Sequence, residues 1–142
     1  MQVFLPYPDL EKSVRRLDPK RLGNQVYREC LTLIRGGWPN HPASRMWRGY
    51  EGALARYMKF GIFELLDRGY DYRQRDWAVL VVEKLISTNL VLPPWLGDDR
   101  LHSSHRAALL YKNYDWYSKF GWSEKSAVPD ENGRLPYYWP TT

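Results

Sequence analysis

Apolar residues over the first seventy positions of the chain recur at spacings of three and four, the period of one helix face. Pro8 and Asp9 open a short segment in which Leu10, Val14 and Leu17 share a side. Asp18 followed by Pro19 has the form of an N-cap and first helical residue, and predicts a second helix running to about Arg35 and stopping at Gly36-Gly37. Its expected buried stripe is Leu22, Val26, Cys30 and Leu33, which leaves Arg21, Asn24, Gln25, Arg28 and Arg35 around the rest of the cylinder for a ligand. The series Met46, Trp47, Tyr50, Leu54, Tyr57, Met58, Gly61, Ile62, Leu65 and Leu66 predicts a central helix from about Ser44 to Arg68, ended by Gly69. Residues 74–87 fit either a helix or a buried strand; Glu83, Lys84 and the helical surroundings favour helix. Pro93-Pro94 interrupt the chain, Asp98 or Asp99 caps a last helix through about Asn113, and the remainder is an irregular, aromatic-rich tail. The expected class is all-α: a compact single-domain helical fold over residues 1–142, without repeats or long linkers.

Composition narrows the setting. With 142 residues and 44% hydrophobic content, the chain buries a core without disulfides or metal. Cys30 is the lone cysteine and cannot pair internally, and His41, His102 and His105 do not complete a zinc set with it at any usual spacing. A reducing, cytoplasmic setting is therefore expected, with no metal. No apolar run approaches the roughly 18 residues of a membrane span, and the start MQVFLPYPDLEKSVRR lacks the basic-then-apolar order of a signal peptide. The expectation is a soluble protein that is not exported and has no membrane partner. Residues 1–60 hold 11 basic and 5 acidic side chains, whereas residues 61–142 hold 10 and 11. The net charge of +5 thus sits in the first part, which favours a polyanion partner over a merely solvated basic face only when other signals agree. Aromatics at 15% serve either as core mass or as stacking platforms.

Four stretches carry candidate chemistry. In LDPKRLGNQVYRE, Arg21, Gln25 and Arg28 fall near one helical face with Glu29 at its edge: a carboxylate among guanidiniums able to hold phosphates, or an ordinary ion-pair ladder. His41, between Asn40 and Pro42, either contacts phosphate or caps backbone groups. His105 and Arg106 follow two serines in the first turn of the last helix, a phosphate seat or capping chemistry. Trp116, Tyr117, Phe120 and Trp122 crowd around Lys119, suited to stacking on bases beside a phosphate contact or to docking on the core. Metal-hydrolase, Walker, dinucleotide and nucleophile-elbow patterns are absent, which leaves a binder or an enzyme that works with ordinary polar groups and no cofactor.

Taken in order, these residues resemble the pyrimidine-dimer DNA glycosylase family, the endonuclease V-like enzymes. The likeness rests on Leu17, Arg21, Leu22 and Gln25 followed by Arg28-Glu29, on Asn40-His41 and the long aromatic helix ending Leu66-x-Arg68-Gly69-Tyr70, and on Trp116-Tyr117 with Gly121. NHPASRMWRGYE, PPWLG and SHRAALL also resemble small bacterial and phage proteins placed in that family, so a phage-encoded chain acting in its host cell is one expected setting. The resemblance implies a helical, monomeric enzyme that grips duplex DNA carrying a damaged or modified base, flips a base, releases it through attack by the N-terminal amine, and cleaves the strand from the imine. It implies Met1 and Glu29 as catalytic groups and Arg21, Gln25, Arg28, His41, His105, Arg106, Trp116, Tyr117 and Lys119 as DNA contacts. A catalytically inactive nucleic-acid-binding module on the same scaffold is the alternative. Two positions depart from the family pattern. Gln2, too large for methionine removal, follows Met1, so the Met1 amine itself is the expected nucleophile. Glu29 stands one position later, counted from Gln25, than the family's catalytic Glu, where this chain has Arg28.

Overall fold

The computed structural model describes residues 1–70, 82–83 and 91–140; these form helices and irregular segments without a strand. The helix expected over 74–87 lies outside the described residues apart from Val82, which is in the core, and Glu83.

Helix α1 (Leu10–Arg15) starts where the Asp9 carboxylate accepts from the Lys12 amide at 2.8 Å, and it buries Leu10 and Val14. The next helical run begins with Pro19 at its first turn and continues to residue 34 in three parts: α2 (Pro19–Asn24), a π-helical turn (Gln25–Glu29) and α3 (Cys30–Ile34). Within the π turn the Cys30 amide donates to the Gln25 carbonyl five residues back, one residue more than an α turn takes in. Gly36, with φ +77°, ends the run where the sequence places its stop.

The central helix departs from expectation by being two. Helix α4 (Pro42–Trp47) and helix α5 (Glu51–Asp67) are separated at Arg48-Gly49, where Gly49 takes φ +88°. The apolar spacing runs unbroken across the join because both helices bury their stripe in the same core: Trp47, Leu54 and Ile62 are buried and Tyr50 half-buried. Helix α5 ends as a Schellman motif, the Gly69 amide donating to Leu66 and the Tyr70 amide to Leu65. At Gly61, where α5 crosses α1 and the π turn, an added Cβ would overlap the side chains of Val26 and Val14.

Helix α6 (Asp99–Lys112) is capped by the Asp98 carboxylate and carries Leu101, His102, His105, Ala108 and Leu109 on its buried face. A short helix α7 (Tyr114–Tyr117) and a 3₁₀ turn (Ser118–Phe120) follow; the rest of the tail is irregular. Tyr117 is fully buried and exchanges hydrogen bonds with Asp18, accepting from its amide and donating to its carboxylate at 2.5 Å. Asp18 therefore holds the tail and Arg21 rather than capping α2 with its side chain.

The first five residues have no regular structure, and residues 2–5 pair with side chains instead of a neighbouring strand. The Gln25 amide group accepts from Phe4 N at 2.8 Å and donates to the Gln2 carbonyl at 2.9 Å. Tyr57 donates to the Phe4 carbonyl, His105 Nδ1 accepts from Leu5 N, and His102 Nδ1 meets the Leu5 carbonyl, each at 2.8 Å. Four side chains from three parts of the chain thus satisfy a buried backbone that would otherwise cost several unmade hydrogen bonds.

Candidate active site

Once Gln25, Tyr57, His102 and His105 have fixed residues 2–5, Met1 is delivered half-buried to a seam with Glu29 at its other side. Two cavities of about 250 Å³ each open there, and Met1 and Glu29 line both. The first is bounded by Gln2, Lys20, Arg21, Asn24, Lys112 and Tyr137. The second is bounded by Arg28, Thr32, Trp38 and His41.

The first cavity is cationic. Arg21 is anchored by Asp18, whose side chain is 2% exposed, at 3.1 Å. The Lys112 ammonium is pushed below its ordinary range, first by partial burial and then by Arg21 and Lys20, so three positive groups crowd one space. Into the same cavity comes Gln2, buried, with its side-chain nitrogen without a partner among the described residues. An anion is the complement such a set calls for. Tyr137, arriving from the tail, is raised above the ordinary phenol range by burial, and its ring meets Phe4 and His105 edge-on.

The second cavity carries His41. Its Nδ1 accepts from Ala43 N at 3.0 Å, capping α4, so the neutral ring holds its proton on Nε2. Burial, and then the N-terminal ammonium, hold its pKa below the usual histidine value. Trp139 packs edge-on against it at 5.7 Å.

The π turn bears on Glu29. The one-position offset of this residue from the family pattern coincides with a turn that takes in one extra residue, and Glu29 meets the cavities of Met1 rather than being rotated about 100° away from them.

Met1, Arg21, Arg28, Glu29 and His41 therefore come together. Gln25 lines the first cavity with Met1, Arg21 and Glu29, whereas His105, Arg106, Trp116, Tyr117 and Lys119 line neither cavity. Gln25 is 2% exposed and His105 is fully buried, both spent on the N-terminal segment; His105 has its pKa lowered to about 3 by burial. Arg106 forks onto Glu124 at 2.9 and 2.8 Å and donates to the Pro6 carbonyl, which leaves no free fork for a phosphate. Tyr117 is buried against Asp18, and Trp116 donates to the Arg16 carbonyl under the ammonium of exposed Lys119, 3.7 Å from its ring. That cluster packs on the core, with Tyr117 buried and Trp116, Phe120 and Trp122 half-buried. Lys20, Lys112, Trp38 and Tyr137 were not singled out by sequence: Lys20 comes with its neighbour Arg21, whereas only the path of the folded chain brings Lys112, Trp38 and Tyr137 here, and no local spacing announces it.

Among the described residues no group of His, Cys, Asp and Glu could hold a metal ion, and no helix is long and apolar enough to cross a membrane. Residues 1–78 match the family model described as pyrimidine dimer DNA glycosylase. No curated protein and no solved structure matches the chain.

Proposed function

Because the chain belongs to the pyrimidine dimer DNA glycosylase family, we infer that this DNA glycosylase also cleaves the strand, through an imine formed by its own N-terminal amine. The observation that carries the reading is the sharing of both cavities by Met1 and Glu29. The unprotonated Met1 nitrogen attacks the anomeric carbon of the damaged nucleotide, the glycosidic bond breaks, and the base leaves with a proton. The sugar ring then opens, its ring oxygen taking a proton from solvent, and an iminium links carbon and nitrogen. Glu29 accepts the proton lost from the adjacent carbon, the bond to the 3′ phosphate breaks by β-elimination, and water hydrolyses the imine to free Met1.

The cationic cavity of Lys20, Arg21, Lys112 and Gln2 suits the phosphate that departs in this step, since charge that develops on a leaving phosphate is stabilised by fixed donors in a partly desolvated site. Arg28, exposed at the other cavity, suits the flanking backbone. The charge excess in residues 1–60 agrees with a duplex DNA partner, gripped by a monomer.

Borohydride reduction of the protein with a duplex carrying an abasic site is expected to give a covalent adduct, lost after acetylation of the α-amine. Absence of an adduct, with salt-sensitive DNA binding intact, would leave a binding module in its place.

A further inference from the structure

Trp38 is the one residue other than glycine with a positive φ, +52°, among the described residues. A bulky side chain is strained there, and the following Pro39 restricts its backbone further. The indole is 68% exposed, so burial does not repay the strain.

The loop nevertheless fixes this conformation from both sides. The Gly36 and Gly37 amides donate to Leu33 and Thr32, the Ser44 hydroxyl to Gly37, the His41 amide to Trp38 itself, and the Arg48 guanidinium to Pro39 at 2.7 Å. Gly37 lies so close to Thr32 that a Cβ would stand 2.7 Å from its methyl group. A rigid loop thus presents a wet, strained aromatic ring at the mouth of the cavity that Met1, Arg28, Glu29 and His41 line. Both features oppose stability, and such strain persists where the surroundings over-determine it, most often at sites of function.

We propose that Trp38 is the stacking platform for the nucleobase that leaves the duplex at the sugar held between Met1 and Glu29. The proposal rests on the reading of that pair as the reacting site. The pair lines one cavity with Lys20, Arg21 and Lys112 and another with Trp38, Arg28 and His41, so a sugar at the pair has room for a phosphate among the cations of the first and for its base against the indole of the second. An indole face accepts any planar base, and Trp38 therefore favours an unstacked base without naming it. Identity is left to the edge contacts, for which the Nε2 proton of His41 is one donor in the cavity wall, with Arg28 and Thr32 beside it.

The test uses the full chain and a duplex in which a single 2-aminopurine is mispaired with guanine, so that the probe base is weakly held and no base-free sugar competes for the site. The wild-type protein is expected to quench its emission. Trp38→Ala should abolish the quench and weaken binding of this duplex about 5- to 150-fold, the range of one lost base–aromatic stack. Its affinity for the same duplex with tetrahydrofuran in place of the 2-aminopurine should change less than about twofold, and Trp38→Phe should restore most of the quench. Trp38→Gly, at ease at positive φ, should unfold no earlier in urea than wild type and bind as poorly as Trp38→Ala, which separates loss of stacking from loss of fold. Unchanged emission with the wild-type protein, or equal loss of affinity for base-bearing and base-free duplexes, would overturn the proposal. Borohydride trapping on an abasic duplex, where there is no base to stack, reports separately on Met1. Quenching without trapping retains the platform and rejects the amine, and trapping without quenching does the reverse.

Discussion

Glu29 is the side chain on which the proposed chemistry turns, and one atom tests it. Glu29→Gln removes a negative charge that repels phosphate, so affinity for duplex DNA should hold or rise, whereas strand cleavage should fall roughly 10²- to 10⁴-fold, the usual worth of a positioned general base. The borohydride adduct on an abasic duplex should persist, because attack by the amine does not need this carboxylate. Cleavage at the wild-type rate would assign the proton to another group. At this scale the sequence is informative about charged residues that face outward from a single helix: Arg21, Arg28 and Glu29 are near one another because they are near in the chain. It misleads for His105, placed by its polarity on the DNA side although it lies on the buried face of its helix. His105 follows the register of Leu101, Ala108 and Leu109, and that periodicity, given precedence over polarity, would have turned it inward. Nothing local reveals that backbone of residues 2–5 waits there as its partner.

Between elements, the crossing of α5 over α1 and the π turn is where the site is held in register. Gly61 permits the approach, and Val14 and Val26 occupy the space a side chain would need. Gly61→Ala gains helix propensity yet should destabilise the protein by about 1–3 kcal/mol, since a methyl group forced into a filled crossing displaces β-branched neighbours. Urea unfolding measures this directly, and a midpoint above that of wild type would mean the crossing has room. Helix positions and ends were legible because caps and glycines mark them: Asp9, Asp98, Gly36 and Gly69 all stop or start a helix where expected. The split at Gly49 and the π turn were not, because apolar spacing reports which residues face the core and is silent about a change of axis or of hydrogen-bond step that keeps them facing it.

For the whole molecule, acid is the condition to which this arrangement is most exposed. His105, neutral and fully buried, has its pKa lowered from 6.5 to about 3 by burial and then by His102, and His102 is lowered too, by burial first. Between those values the unfolded chain binds protons that the folded chain refuses, so the stabilisation is complete above pH 6.5 and is lost as pH falls. The expected slope is about 1.4 kcal/mol per pH unit for a fully refused proton. Urea midpoints taken between pH 6.5 and pH 5, above the range in which the Glu124 carboxylate paired with Arg106 begins to matter, should decline; a flat profile would mean that the rings are protonated in the fold. The same contact has a consequence for synthesis. Leu5 finds the ring of His105 one hundred residues further along, so a segment made early in synthesis is among the last to be seated. Residues 2–5 stay unseated until α6 has emerged, and the seam between Met1 and Glu29 is therefore assembled late, however early the first helices form.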